Sequence, residues 1–426
     1  MSITVNNNLI TPDQLPYEVV ERKGLGHPDT LTDGIAEAAE IDYCKYCLKK
    51  FGYIPHHNFD KVMILGGQCK QKYGGENFSD PIKVIFMGRG SKNFGGEKIP
   101  LEQIQIKAAK AYLTRVLPHL DVESESTIVF QTLTSTHSTR PHWFSPRDKN
   151  DLPEYNDEGP TANDTATMIS YWPLTKSEKL ALDIEGYFYQ NNDQELPYPR
   201  FKEFGGDIKV MVVRDGDVSV ATVTVPQITT MTVSADQYFE REQKLRHNLT
   251  NYIQSKYPNE NINLIINAQT LGDNPRPYLV TAGSCTDFGE EGAVGRGNKT
   301  HGIISSFRPN TMEAPHGKNS TYFVGKVLGY QADMIAKQIY AATGSPCQVI
   351  LRANIGDKLY APSKIIVSTV QQVNEEMVQD LVKNSLSIGG ETTLRIINEQ
   401  SFLPRTNVID EKNYGKDKYC FSVNVY

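Results

Sequence analysis

No stretch of this chain approaches the roughly 20 consecutive apolar residues that a bilayer span needs, and hydrophobic residues make up only 39% of it. Residues 1–14 lack the basic-then-apolar pattern of a secretory signal, so the expectation is a cytoplasmic protein. Positive charge is not in excess either. The 44 Lys and Arg stand against 50 Asp and Glu, a formal net charge of −6, which argues against tracking nucleic acid over a broadly basic surface. A small polar or phosphorylated substrate, held by local cations, is the better match. Tryptophan (two) and cysteine (six) are both scarce. Cys44 and Cys47 are spaced like half of a zinc site, but they fall inside the helix-like stretch 30–50 and no second pair follows. All six cysteines are therefore read as free thiols.

What the chain does have is length and periodicity. Its 426 residues suit two to four structural units at about 100–200 residues each. Three long amphipathic stretches are each followed, after a short turn, by a β-rich run: 101–118 then 126–133, 235–257 then 262–268, and 322–343 then 347–353. In the first, Ile104, Ala108, Ala111, Tyr112 and Val116 recur at helical spacing. Second helix candidates sit at 30–51, 174–190 and 373–386. Strands 207–214 and 217–226, joined by Asp215-Gly216, read as a hairpin. Antiparallel sheets with helices on one face are thus favoured over a doubly wound parallel sheet. The expected class is α+β with three similar subdomains, approximately 1–145, 146–282 and 283–426, between which strands can be exchanged. The segment 137–161, rich in Pro, Asp, Asn and His, reads as a long loop.

The densest chemistry lies at Glu21–Thr30. Arg22, Lys23, Gly24, Gly26, His27, Pro28 and Asp29 stand at the mouth of an apparent helix. Two glycines permit close backbone approach to a ligand, Pro28 suits a first helical turn, and the helix amides and dipole favour an anion. Asp29 could hold Mg²⁺ against the same phosphates. A well-capped helix would explain the Gly-Pro-Asp pattern, but not three further cationic or titratable groups in one corner. His56 and His57 precede Asp60, Lys61 and an apolar strand; as neighbours on a strand they face opposite ways and do not share a metal. Thr161–Thr165 reads as an Asx-type turn that can aim Asp164 at an ammonium group. Asp207 and Lys209 are placed at i, i+2 on one strand face. The run Gly289–Asn298 is too rich in glycine for a helix, and Met312–Asn319 sets Lys318 just ahead of the helix from 322.

Taken in order, Glu21–Thr30, His56–Lys61, Thr161–Thr165, Gly205–Met211, Gly292–Asn298 and Met312–Asn319 resemble the archaeal type of methionine adenosyltransferase (S-adenosylmethionine synthetase). The resemblance spans about residues 17 to 370. It implies three α+β subdomains around a pseudo-threefold axis and a homodimer with active sites between subunits. The reaction implied joins ATP and L-methionine, with Mg²⁺ (two per site) and K⁺. By position His27 matches the histidine that stabilises the leaving oxygen, and Lys209, Arg296 and Lys318 match cations that hold the triphosphate. Asp29 matches the metal-binding aspartate and Asp164 the residue that takes the methionine ammonium. Glu290, Ile355, Lys61 and Ser138 fall at substrate-binding positions, Ile355 beside the adenine.

Three stretches depart from the family pattern. A Gly-x-Gly-Ser-x-Asp loop is replaced by Ser135–Arg140, leading into a longer loop that contains Trp143. Trp143 could stack on a base or bury against its own loop, and its Pro-rich surroundings favour the loop. Gly-Asp-Asp-Gly has become Gly289–Gly292 with two glutamates, and His316 adds a titratable group beside Lys318. The surviving cations point to a working enzyme. The alternatives are a nucleotide-binding paralogue without turnover, or an enzyme for another thioether or nucleoside triphosphate.

Overall fold

The computed structural model describes residues 1–190, 198–311 and 313–406, so Met312 and Cys420 lie outside the described residues. The six helices expected from periodicity are there: α1 (Pro28–Phe51), α2 (Leu101–Val116), α3 (Lys176–Gly186), α4 (Ala235–Lys256), α5 (Val324–Thr343) and α6 (Glu375–Ser387). A further helix, α7 (Glu391–Glu399), was not anticipated. Local chemistry sets several ends. Thr175 and Glu178 form a reciprocal capping box on α3, and Ser234 and Asn374 accept from the first-turn amides of α4 and α6, satisfying donors that a helix start leaves open. Gly52 and Gly344, both left-handed, end α1 and α5.

Three larger sheets share one strand pattern, in which an outer strand runs parallel to its neighbour and the remaining pairings are antiparallel. In the first, 128–132 lies parallel to 82–90, followed by 57–65 and 292–293. In the second, 261–266 lies parallel to 218–224, followed by 209–215, 17–23 and 304–305. In the third, 2–6 lies parallel to 364–369, followed by 347–353 and 166–172. A parallel neighbour needs a crossover, which α2 and α4 supply in the first two sheets. In the third, the first strand of the chain fills that place. The fold is α+β with mainly antiparallel sheets, and the hairpin about Asp215-Gly216 is present.

Residues 17–23 belong to the second sheet and 57–65 to the first, so α1 runs from one to the other. It packs on α2 and on strand 57–65. This position buries even its charged residues: Asp33, Glu37 and Glu40 are all buried, at spacings that put them along one side of the helix. Among the described residues no helix is long and apolar enough to cross a membrane, and the five described cysteines are free thiols.

Candidate active site

Strand 17–23 pairs with 209–215 so that Lys23 stands opposite Lys209. Two ammonium groups therefore leave the sheet side by side. The chain then turns into α1 against residues 206–208, the Gly24 amide donating to the Ile208 carbonyl at 2.6 Å and the Gly26 amide to the Gly206 carbonyl at 2.8 Å. A Cβ on Gly24 would lie 2.3 Å from the Ile208 oxygen, and one on Gly26 2.4 Å from the Gly206 carbonyl carbon. Here the glycines serve the approach of two protein segments.

That turn delivers His27 to the N-cap of α1, where its Nδ1 accepts from the Asp29 amide at 3.2 Å. With Nδ1 accepting, the neutral ring carries its hydrogen on Nε2. Burial pulls the His27 imidazole below its ordinary value; Asp207 and Asp29 oppose this, while Lys23 and Lys209 reinforce it. Around it, Asp29 Oδ2 lies 3.0 Å from Lys23 Nζ, and Asp29 Oδ1 accepts from the Ala293 amide at 3.2 Å. Arg296 Nε is 3.8 Å from the same oxygen, on a side chain 75% exposed. Lys209, nearly half exposed, pairs with Glu21 at 3.2 Å.

Asp207 does not share a strand face with Lys209. The strand begins at Lys209, and Asp207 turns inward to accept from the Tyr278 hydroxyl at 2.6 Å and the Cys285 amide at 3.1 Å. Just beyond, Asp287 accepts from the Thr281 and Ala282 amides, and burial still pushes its carboxyl up to about 7. Glu290 follows, exposed on the adjoining loop.

A second group of expected residues gathers farther along. Lys318 is buried and ion-paired to the half-exposed Glu313. Burial lowers its ammonium, with Asp60 and Asp164 opposing and Lys61 adding to the shift. Lys61 is exposed and pairs with Asp60 at 2.5 Å. Asp164, also exposed, accepts from the Thr165 amide at 2.7 Å, one residue on rather than the two of the expected Asx-type turn, and Thr165 Oγ1 in turn accepts from the Ile355 amide at 3.0 Å. Ile355 is 66% exposed. Ser138 sits in an exposed stretch, its hydroxyl accepting from the Arg140 amide at 3.0 Å. Trp143 stacks on His56, ring centroids 3.6 Å apart and planes 9° apart, with the Arg140 guanidinium 4.7 Å from its ring. It packs with Arg140 of its own loop and with His56.

One chain thus holds two groups, His27–Asp29–Lys23–Lys209–Arg296 and Lys318–Lys61–Asp164–Ile355. Asp33 of α1 ties them together, accepting from the Gly295 amide at 2.8 Å and lying 3.2 Å from His316 Nδ1. Although burial opposes it, Asp33 and Glu37 hold the His316 imidazole above its ordinary value. Asp33 and Glu37 had been given no site role from the sequence. The Asp29–Asp33–Glu37 spacing along one side of α1 was the available signal.

Residues 2–400 match the family described as S-adenosylmethionine synthetase (AdoMet synthetase). The chain belongs to the S-adenosylmethionine synthetase family. An S-adenosylmethionine synthase of Thermoplasma volcanium is 32% identical over 409 residues, 93% of this chain and 97% of that protein. One of Picrophilus torridus is 32% identical over 364 residues, 85% of each chain. An uncharacterized protein of Streptococcus pyogenes serotype M3 is 54% identical over 413 residues, 96% of this chain and all of that protein. Among solved structures, an unusual S-adenosylmethionine synthetase from Campylobacter jejuni shares the fold, with a TM-score of 0.57 and 15% identity over 92% of this chain and 94% of that one. Membership in the S-adenosylmethionine synthetase family supports a transferase of S-adenosylmethionine biosynthesis.

Proposed function

We propose that this protein is a methionine adenosyltransferase, making S-adenosylmethionine from ATP and L-methionine and cleaving the displaced triphosphate to pyrophosphate and phosphate. The observation that carries this reading is His27, with its hydrogen on Nε2 at the mouth of α1, between Lys23, Lys209 and Asp29. In the reaction the methionine sulfur attacks C5′ of ATP. The S–C5′ bond forms as the C5′–O bond breaks, and the electron pair leaves on the triphosphate oxygen. The protein needs no nucleophile, only an in-line approach and preorganised charge where the anion develops.

His27 Nε2–H donates to the leaving oxygen. Lys209, Arg296 and Lys318 hold the triphosphate, Asp164 takes the methionine ammonium, and Glu290, Lys61, Ser138 and Ile355 complete the substrate contacts, Ile355 against the adenine. Asp29 is a hard oxygen donor of the kind Mg²⁺ takes alongside phosphate oxygens, and Lys23, now 3.0 Å from it, would then turn to the phosphates. Bound Mg²⁺, two per site, supplies positive charge to the chain of phosphates; K⁺ assists by family analogy. The two groups of residues suit a cytoplasmic homodimer in which the first group of one subunit faces the second group of its partner across the interface.

The test is incubation of the purified protein with ATP, L-methionine, Mg²⁺ and K⁺, with S-adenosylmethionine read by mass spectrometry and both phosphates assayed in parallel. The expected result is product with pyrophosphate and phosphate released. Bound ATP without product would contradict the proposal.

A further inference from the structure

Away from the mouth of α1, three side chains from two elements converge in the core. Glu40 and Cys44 stand one turn apart on α1, and His57 opens the strand beside it. All three are fully buried, and one donor atom from each lies within 4.8 Å of the others. Cys44 Sγ is 3.0 Å from Glu40 Oε1, His57 Nε2 is 3.3 Å from that oxygen, and Sγ and Nε2 are 3.9 Å apart. Inside such a triangle a point about 2 Å from all three atoms exists, close to the roughly 2.0–2.3 Å bonds zinc makes to nitrogen, oxygen and sulfur.

We infer that Glu40, Cys44 and His57 form a binding site for a divalent transition-metal ion of the zinc type. Hydrogen bonds alone fit the cluster poorly. Glu40 Oε1 would take three donors at once, from the Ser320 amide at 3.1 Å, the Ser320 hydroxyl at 2.9 Å and Cys44, while the His57 Nε2 lone pair faces it at 3.3 Å with no hydrogen between them. A carboxylate oxygen has two lone pairs to offer.

The imidazole orientation points the same way. Nδ1 lies 2.9 Å from the Pro55 carbonyl and 3.2 Å from Asn319 Nδ2. The shorter contact assigns the hydrogen to Nδ1, leaving a lone pair on Nε2 that faces the sulfur and the carboxylate. A second ring nitrogen donating to a backbone carbonyl is the usual outer support of a metal-bound histidine. Thiolate, imidazole and carboxylate together suit zinc rather than magnesium, and a water completes four-coordination. Binding releases the Cys44 thiol proton to solvent, so ion and thiolate together add one positive charge. That charge falls beside Glu37 and Glu40, which share the single ammonium of Lys326. Burial means the ion enters as the chain folds. The Cys44–Cys47 pair is not the unit; Cys47 stands outside the cluster.

The full-length protein, produced in zinc-supplemented medium and freed of loosely bound metal, is analysed for metal content. In parallel, chelator-treated protein is refolded with Co²⁺ alone and read for a thiolate-to-cobalt charge-transfer band. About one zinc per chain and a cobalt band are expected, with the band lost in Cys44→Ser and kept in Cys47→Ser. Cobalt held by oxygen ligands at Asp29 gives no such band, so the two locations are separable. Wild-type protein with neither stoichiometric metal nor a cobalt band, or a band that survives Cys44→Ser, overturns the inference, and the wild-type arm decides even if the variant fails to fold.

Discussion

Lys318 and Lys326 stand eight residues apart, both buried, and their ammonium groups are driven in opposite directions. Lys326 donates to Glu37 at 2.8 Å, Glu40 at 2.9 Å and the Lys318 carbonyl at 2.9 Å. Burial opposes its charge, yet the two carboxylates hold it above its ordinary value. Lys318 is ion-paired to the half-exposed Glu313, and burial lowers it. The first lysine is fully satisfied inside the protein; the second is desolvated but only partly compensated. A cation left in that condition is suited to receive an anion from outside, and one with three acceptors is part of the frame.

The largest effect should come from breaking the satisfied lysine. Lys326→Met removes the ammonium that Glu37 and Glu40 both contact in the core and should cost about 3–5 kcal/mol, read as a lower midpoint in urea unfolding. Lys318→Met frees a carboxylate that already meets solvent, so its stability change should stay within about 1 kcal/mol. Its turnover should nevertheless fall by about 10²-fold, as for loss of one charge-stabilising donor, in steady-state assays at saturating ATP. Equal stability losses in the two variants would erase the distinction.

A graded effect, spread over several pH units, sharpens the comparison from the acidic side. Burial pushes Asp287 up to about 7, above the ~3.9 of an unfolded aspartate. The folded state therefore binds this proton more tightly. The stability it contributes is complete below about pH 4, is lost as pH rises towards 7, and is flat above. Wild type should lose up to about 1.4 kcal/mol per pH unit across that window relative to Asp287→Asn, measured by denaturant unfolding at matched ionic strength. Parallel pH profiles would contradict the assignment.

Six of the seven described helices were legible because their apolar residues recur at helical spacing, α1 even though it is buried on nearly every side, whereas α7 was not anticipated. What local pattern could not give is which sheet a strand joins. Residues 2–6 find their partner at 364–368, and no composition signal spans that separation. The same limit applies at the site. His27, Asp29 and Lys23 lie in one short motif, so their chemistry could be read directly. The expected i, i+2 face for Asp207 and Lys209 failed because Asp207 precedes the strand and is drawn to Tyr278, 71 residues on. Gly24 and Gly26 were correctly singled out for close approach, but what approaches is residues 206–208. Lys326 bonds Glu37 across 289 residues, so its role in the frame is visible only in three dimensions.

The central claim is that His27 stabilises the leaving oxygen while the fold stands independently of it. The most direct test is the rate of S-adenosylmethionine formation by His27→Ala against wild type, both saturated with ATP, L-methionine and Mg²⁺. The expected loss is about 10²–10³-fold in kcat with ATP still bound. The lost cap should cost only about 1 kcal/mol of stability. Full activity in the variant would contradict the role assigned to His27 and, with it, the placement of the reaction at the mouth of α1.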